Sequence, residues 1–288
     1  MARHDHLADG SVRIVVDDSE GRMLTFDSAT FVPGFYGGAS AGADVVVAAS
    51  YSGVLCARMI ARSKPRGVVG LDCAIGKDGA GVSGLAFYEA LGIPAAAVDV
   101  MTAEMGNGRD LLESGIVSRT NELALERGVL PGMTCAAAAE ILRRARSTSD
   151  PYADQEHREI IFTSAAGRSI VCTDSIAFVR EEDRGRNVLC TAGHTGRSVI
   201  NYIVESGVWG FICSDGGVGK NNSGITALGP ANDAGIAGAS VSAQTARMGD
   251  GHSTYFDGII SFANDLALGK GVEIGETAIT AARKLLER

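Results

Sequence analysis

The sequence predicts an α/β protein of two tandem halves. Each half reads as a Rossmann-like or flavodoxin-like unit with a mostly parallel sheet, opened by a β-hairpin. Three observations predict this. The first is self-similarity: 44–145 aligns with 187–288 at a spacing of 143 residues without a gap, and about a third of the paired positions are identical. The second is pattern: short, evenly apolar runs alternate with helix-like stretches, as strands buried on both faces do. The third is glycine. The chain has 38 glycines in 288 residues and only 6 prolines, against a usual glycine share of roughly 7%. Ten glycines from Gly53 to Gly132 recur 143 residues later, which accounts for 20 of the 38.

A two-copy repeat of this length reads as a duplicated domain, because solenoids need three or more short units. The copies are expected over 1–146 and 158–288, related by a pseudo-twofold axis. The polar stretch 147–157, which carries Pro151, reads as the linker.

Along the first copy, VRIVV (12–16) and MLTF (23–26) flank the turn DDSEGR and predict a hairpin. DVVVAA (44–49) is the first parallel strand, followed by the loop Ser50–Gly53 and a helix over 54–62. GVVGL (67–71) is the second, followed by a glycine-rich loop to Gly81 and a helix over 82–91. IPAAAV (93–98) is the third. It leads into MTAEMGNGRD (101–110), one long helical stretch to about Arg127, and a last helix from Thr134 to Arg146. The second copy opens with EIIFTS and SIVCT around AAGR and repeats the scheme. Three strand-to-helix loops per copy gather at the carboxyl edge of the sheet, where open α/β sheets bind ligands. A cleft between the copies is the expected site.

Charge and composition exclude several classes of function. With 26 basic and 34 acidic residues the formal net charge is −8, and no basic stripe marks nucleic acid as a partner. Arg143, Arg144 and Arg146 end a helix and read as a solvated, dipole-compatible terminus. No apolar run reaches the length of a membrane span, and MARHDHLADG has no signal-peptide core. A cytoplasmic protein is expected, either a monomer or a homo-oligomer. Cys56, Cys73, Cys135, Cys172, Cys190 and Cys213 form no C-x-x-C pair and read as buried reduced thiols. Cys73, in a loop after a strand, is the one to test for reactivity.

The strongest motif is D-x-x-x-G-K-x-x-x-G. It occurs as Asp72, Gly76, Lys77 and Gly81, and again as Asp215, Gly219, Lys220 and Gly224, with Asp78 or Asn221 after the lysine. Glycines let backbone approach a ligand, the following helix offers free N–H groups, and a lysine adds charge for a carboxylate or phosphate. The blander alternative pairs Lys77 with Asp72 and Lys220 with Asp215 to cap each loop. The third loop offers Glu104, Asn107, Arg109 and Asp110 against Arg247, Asp250, His252 and Ser253. Its arginines could hold a substrate carboxylate or simply make surface salt bridges. Ser118 and Asn121, matched by Ser261 and Asn264, are expected on one helix face. Asp27-Ser28 and Asp174-Ser175 read as turn formers.

The first loop differs between copies, Ser50-Tyr51-Ser52-Gly53 against Gly193-His194-Thr195-Gly196. His194 near Asp215 could serve as a general base. His194 and His252 with Asp215 and Asp250 form a weaker alternative for a divalent metal. No cofactor is otherwise expected, because the G-x-G-x-x-G fingerprint is missing in its strand-to-helix setting. No G-x-S-x-G elbow marks a serine nucleophile. The arrangement loosely resembles duplicated two-domain α/β enzymes such as amino-acid racemases, which carry a cysteine in each half. Here the matching positions are Cys73 and Gly216, so the paired-cysteine chemistry is not implied.

These residues lead to a cofactor-independent enzyme on a small anionic metabolite, first a hydrolase of an amide, ureide or lactone. The expected catalytic set is Lys77, Lys220, Asp72, Asp215 and His194. Gly76, Gly81, Gly219, Asn221, Gly224, Arg109, Arg247 and His252 are expected to bind substrate. One alternative is an isomerase or lyase with a lysine base; another is a non-catalytic binding protein.

Overall fold

Strand β1 (Val12–Asp18) turns tightly into β2 (Gly21–Phe26) and pairs with it antiparallel. Behind this hairpin β2, β3 (Val45–Tyr51), β4 (Gly67–Leu71) and β5 (Ala95–Val98) run parallel, and β6 (Val117–Thr120) closes the sheet antiparallel. Every residue of β3, β4 and β5 is buried, which requires cover on both faces. Helix α2 (Val54–Ala61) packs on α1 (Phe31–Tyr36) and α3 (Gly84–Ala90). A second group, α4 (Gly108–Ser114) with α6 (Cys135–Arg143), packs against β2, β3 and β4. The computed structural model describes residues 6–144 and 157–287. They form a mixed α/β structure with two six-stranded, mostly parallel sheets.

The second sheet repeats the pattern with β7 (Arg158–Thr163), β8 (Ser169–Thr173), β9 (Val188–His194), β10 (Gly210–Ser214), β11 (Ala237–Val241) and β12 (Ile260–Ala263). Its helices are α7 (Ile200–Ser206), α8 (Leu228–Asp233), α9 (Gly251–Phe256), α10 (Asp265–Gly269) and α11 (Ala278–Glu287). In both sheets the strands follow one another in sequence order. Rossmann and flavodoxin sheets reverse direction at a switch point, with a ligand crevice there. These sheets share the parallel core of those folds and not their strand order, so no switch point selects the site.

The long helix expected up to Arg127 is broken. Helix α4 stops at Gly115, where a side chain would meet the Leu111 carbonyl at 2.4 Å and Val98 at 2.8 Å. The β-branched pair Ile116-Val117 then enters β6. Ser118 is therefore on a strand, and Asn121 is the N-cap of α5 (Glu122–Glu126), accepting the Ala124 N–H. Asn264 caps α10 in the same way. The arginine cluster is also corrected. Arg143 is buried and donates to Asp18, Glu140 and the Gly21 carbonyl. Arg146 lies outside the described residues, as does the expected linker except His157, which sits 3.5 Å from Asp174.

By contacts the described chain forms two compact units. The first is 6–75 and 81–144 with Gly219–Asn221; the second is 157–218 and 222–287 with Gly76–Ala80. Each glycine–lysine loop tip thus belongs to the unit built mainly from the other half of the chain. Among the described residues no helix is long and apolar enough to cross a membrane. None of the six cysteines is in a disulfide, and all six are buried. Burial pushes the Cys56, Cys135 and Cys213 thiols up to about 12, and Cys73 has no exposed surface at which to react.

Candidate functional site

The loops after β4 and β10 share a rare backbone. Cys73, Ala74, Ile75 and Gly76 have φ of 46, 56, 67 and 68°. Gly216, Gly217, Val218 and Gly219 have 62, 79, 68 and 71°. All four residues in each loop lie at positive φ, which costs about 1–2 kcal/mol for each one with a side chain, and Gly76 combines it with a ψ of −179°. Such strain persists only where the surroundings over-determine it.

The over-determination is visible. Asp72 Oδ1 accepts from the N–H groups of Ala74 and Val100, both at 3.1 Å. Asp215 Oδ1 accepts from Gly217 and Ala243, both at 2.9 Å. Each turn is then closed by a glycine. A side chain at Gly81 would lie 2.3 Å from the Asp72 carbonyl, and one at Gly224 would lie 2.1 Å from the Asp215 carbonyl. Close approach, not chain flexibility, is why these two expected ligand glycines are glycine.

In the second unit the Lys77 loop and Asp215 meet at one residue. The Ala243 N–H binds Asp215 Oδ1, and the Ala243 carbonyl accepts the Lys77 N–H at 2.8 Å. In the first unit Val100 does the same for Asp72 and the Lys220 N–H, at 3.1 and 3.0 Å. The lysines are paired across the expected grouping. Lys77 Nζ lies 3.0 Å from Asp257, and Lys220 Nζ donates to both oxygens of Asp110 at 3.0 and 3.1 Å. The loop-capping pairs Lys77–Asp72 and Lys220–Asp215 do not form.

Asp257 was missed in the sequence, for a definable reason. At 143 residues' spacing Asp110 matches Ser253 and Ser114 matches Asp257. One turn of helix separates the members of each pair, so they face the same way. Ser114 donates to Asp110 at 2.8 Å and Ser253 to Asp257 at 2.7 Å. Acid and hydroxyl have exchanged places while each lysine keeps its carboxylate. Asp257 is held below the ordinary carboxylate range, first by Ser253 and then by Lys77. Burial would raise Asp110, but the Glu104 N–H and Lys220 bring it below. Next to the lysines, Asn221 Nδ2 donates to Glu104 at 2.8 Å, and Arg247 lies 3.2 Å from Asp78. Glu104 and Arg247 are again a matched pair of positions, filled with opposite charge.

His194 ends β9 in register with Ser214 of β10. Its Nδ1 accepts the Gly196 N–H at 3.0 Å, so in the neutral ring the proton is on Nε2. Burial pushes His194 down to about 4. His194 and Asp215 share no hydrogen bond. The two units differ at the aspartate. Asp72 Oδ2 accepts from Ser118 Oγ at 2.7 Å. Ser261 instead donates to the Ser240 carbonyl at 3.2 Å, which leaves Asp215 Oδ2 with no hydrogen-bond partner among the described residues.

Arg109 is exposed and pairs with Glu113 at 2.7 Å, and His252 pairs with Glu159 at 2.7 Å. Neither joins the Asp215 cluster. Asp27 and Asp174 do more than turn the chain: their Oδ1 atoms accept the N–H of Gly108 and Gly251, where α4 and α9 begin. Among the described residues no three His, Cys, Asp or Glu side chains are grouped to hold a metal ion. Comparison with protein-family models, curated proteins and solved structures gives no match.

Proposed function

We propose that the chain is a cofactor-independent enzyme acting on a small anionic metabolite, a hydrolase of amide, ureide or lactone type, with its chemistry at the ends of β9 and β10. The observation that carries this reading is the left-handed turn at 216–219, a costly backbone placed directly after a buried aspartate with an unused oxygen. In this reading Asp215 Oδ2 takes a proton from the attacking water. His194 Nε2–H donates to the substrate carbonyl oxygen, as a neutral imidazole does when a backbone N–H occupies its other nitrogen. That donor role replaces the base role expected from sequence. An ammonium carries three donors, so Lys77, with one contact to Asp257, keeps N–H groups for the substrate's anionic end. We read the two units as copies from one duplication, in which the second carries the reaction and the first keeps the frame. An isomerase with a lysine base has less support, because both amines are engaged by carboxylates.

The test is turnover of a panel of cyclic ureides, N-carbamoyl amino acids and lactones by the wild type, Asp215→Asn and Asp72→Asn. The expected result is loss of kcat/KM by about a hundredfold or more in Asp215→Asn, with activity retained in folded Asp72→Asn. Equal activity in Asp215→Asn overturns the assignment. Binding of panel members without turnover replaces it with the binding-protein reading.

A further inference from the structure

A second feature of the 157–287 unit lies at the opposite end of the strands. Trp209 immediately precedes β10, whereas Asp215 immediately follows it. Trp209, the only tryptophan of the chain, lines a cavity of about 340 Å³ with Val204, Val208, Ile236 and Lys270. That volume is at the lower end of small-molecule sites. Two cations rest on the indole ring: Arg168 at 3.6 Å and Lys270 at 4.6 Å from its centroid. Neither makes an ion pair among the described residues. A third guanidinium, Arg184, lies against Gly207 of the rim and is occupied by Glu181.

The matching region of the first unit shows how such cations are satisfied when no ligand is needed. Arg22, which corresponds to Arg168, binds Asp44 through two hydrogen bonds of 3.1 and 2.6 Å. The residue corresponding to Asp44 is Asn187, and its amide is spent on Ser169 and Asp183. The residue corresponding to Trp209 is Arg66, whose guanidinium donates to the Glu20 and Arg143 carbonyls. The second unit has therefore lost one carboxylate and gained an aromatic wall beside an open cavity. Burial, aided by Arg168, also lowers Lys270, as expected of a cation without a counter-charge.

We propose that this cavity binds a small carboxylate with an apolar body. Lys270, the cation in the cavity lining, takes the carboxylate, and Val204, Val208, Ile236 and Trp209 take the apolar part. The site is separate from the strand-end loops and does not depend on the function assigned to them.

Trp209 gives the test its own reporter. Hexanoate is titrated into the full chain with tryptophan fluorescence and isothermal calorimetry as readouts, and hexanamide serves as the neutral comparator. A saturable change with hexanoate is expected. Affinity should fall about tenfold or more for hexanamide, and similarly for Lys270→Gln. Asp215→Asn should bind hexanoate like the wild type. No saturable signal in either readout overturns the proposal. So does equal affinity for hexanamide, or undiminished binding in Lys270→Gln when its circular dichroism is unchanged.

Discussion

The turn after β4 and the turn after β10 have the same backbone and differ in what their side chains leave open. In the first, Cys73, Ala74 and Ile75 take the left-handed conformation against their own preference, and Asp72 is satisfied by two N–H groups and a hydroxyl. In the second, two of the three are glycine, and Asp215 keeps one oxygen unused. Tyr51 occupies the position of His194, and the Arg22–Asp44 pair becomes Arg168 with Asn187. The difference teaches that two units can share a frame while its polar ends are closed in one and open in the other. Free atoms at matched positions are thus better pointers to function than the motif both units share.

The largest predicted effect concerns the shared frame. Gly81→Ala and Gly224→Ala each force a side chain against a carbonyl, at 2.3 and 2.1 Å, and each should cost more than about 3 kcal/mol of stability. Urea unfolding measures it. Tolerance of alanine at only one of the two positions would show that the turns are not the same structure.

The next effect separates the two units by pH. His194 is lowered to about 4 from an ordinary 6.5 by burial, so the unfolded chain binds the extra proton first. Stability from the neutral ring is complete above about 6.5 and is lost as pH falls through about 4, a contribution on the order of 3 kcal/mol. Between pH 7 and 5, His194→Asn should flatten the stability profile by up to ~1.4 kcal/mol per pH unit. Tyr51→Phe in the first unit should leave that slope unchanged. A wild-type slope in His194→Asn would mean that the imidazole is not held neutral.

Legibility from sequence followed the same division. The hairpins and the parallel strands were readable because apolar runs such as GVVGL have no polar face to mislead. Strand β6 was not, because Val117–Thr120 lies between helix-forming segments and only Gly115 marks the break. The consecutive strand order leaves no trace in local pattern. At the site, Asp72, Asp215 and the lysine loops were visible as a motif. Their true grouping was not, since Lys77 meets Asp215 through Ala243, a residue with no side-chain chemistry. The left-handed turn could be suspected at Gly216-Gly217 and was invisible at Cys73-Ala74-Ile75, where ordinary residues carry it.

A smaller effect tests the closed and open aspartates. Ser118→Ala leaves Asp72 Oδ2 buried without its donor, at a cost of about 1–3 kcal/mol. Ser261→Ala removes one bond to the Ser240 carbonyl and should cost less than about 1 kcal/mol. Equal losses in thermal or urea unfolding would mean that Ser261 supports Asp215 after all, and the unused oxygen would no longer distinguish the two units.

The smallest effect bears most directly on the strain argument, because it predicts opposite signs at one matched position. Ala74 is exposed with φ 56°, and its counterpart Gly217 has φ 79°. Ala74→Gly keeps the N–H that Asp72 accepts and removes the side chain that disfavours the left-handed region. That gain exceeds the added freedom of an unfolded glycine, so the variant should be more stable by about 0.5–1 kcal/mol. Gly217→Ala places a side chain in the same conformation and should lose about 1 kcal/mol. Paired unfolding curves decide the sign. If Ala74→Gly destabilises, the turn at Ala74 carries no excess energy, and the corresponding turn at 216–219 loses its standing as a conformation kept for function.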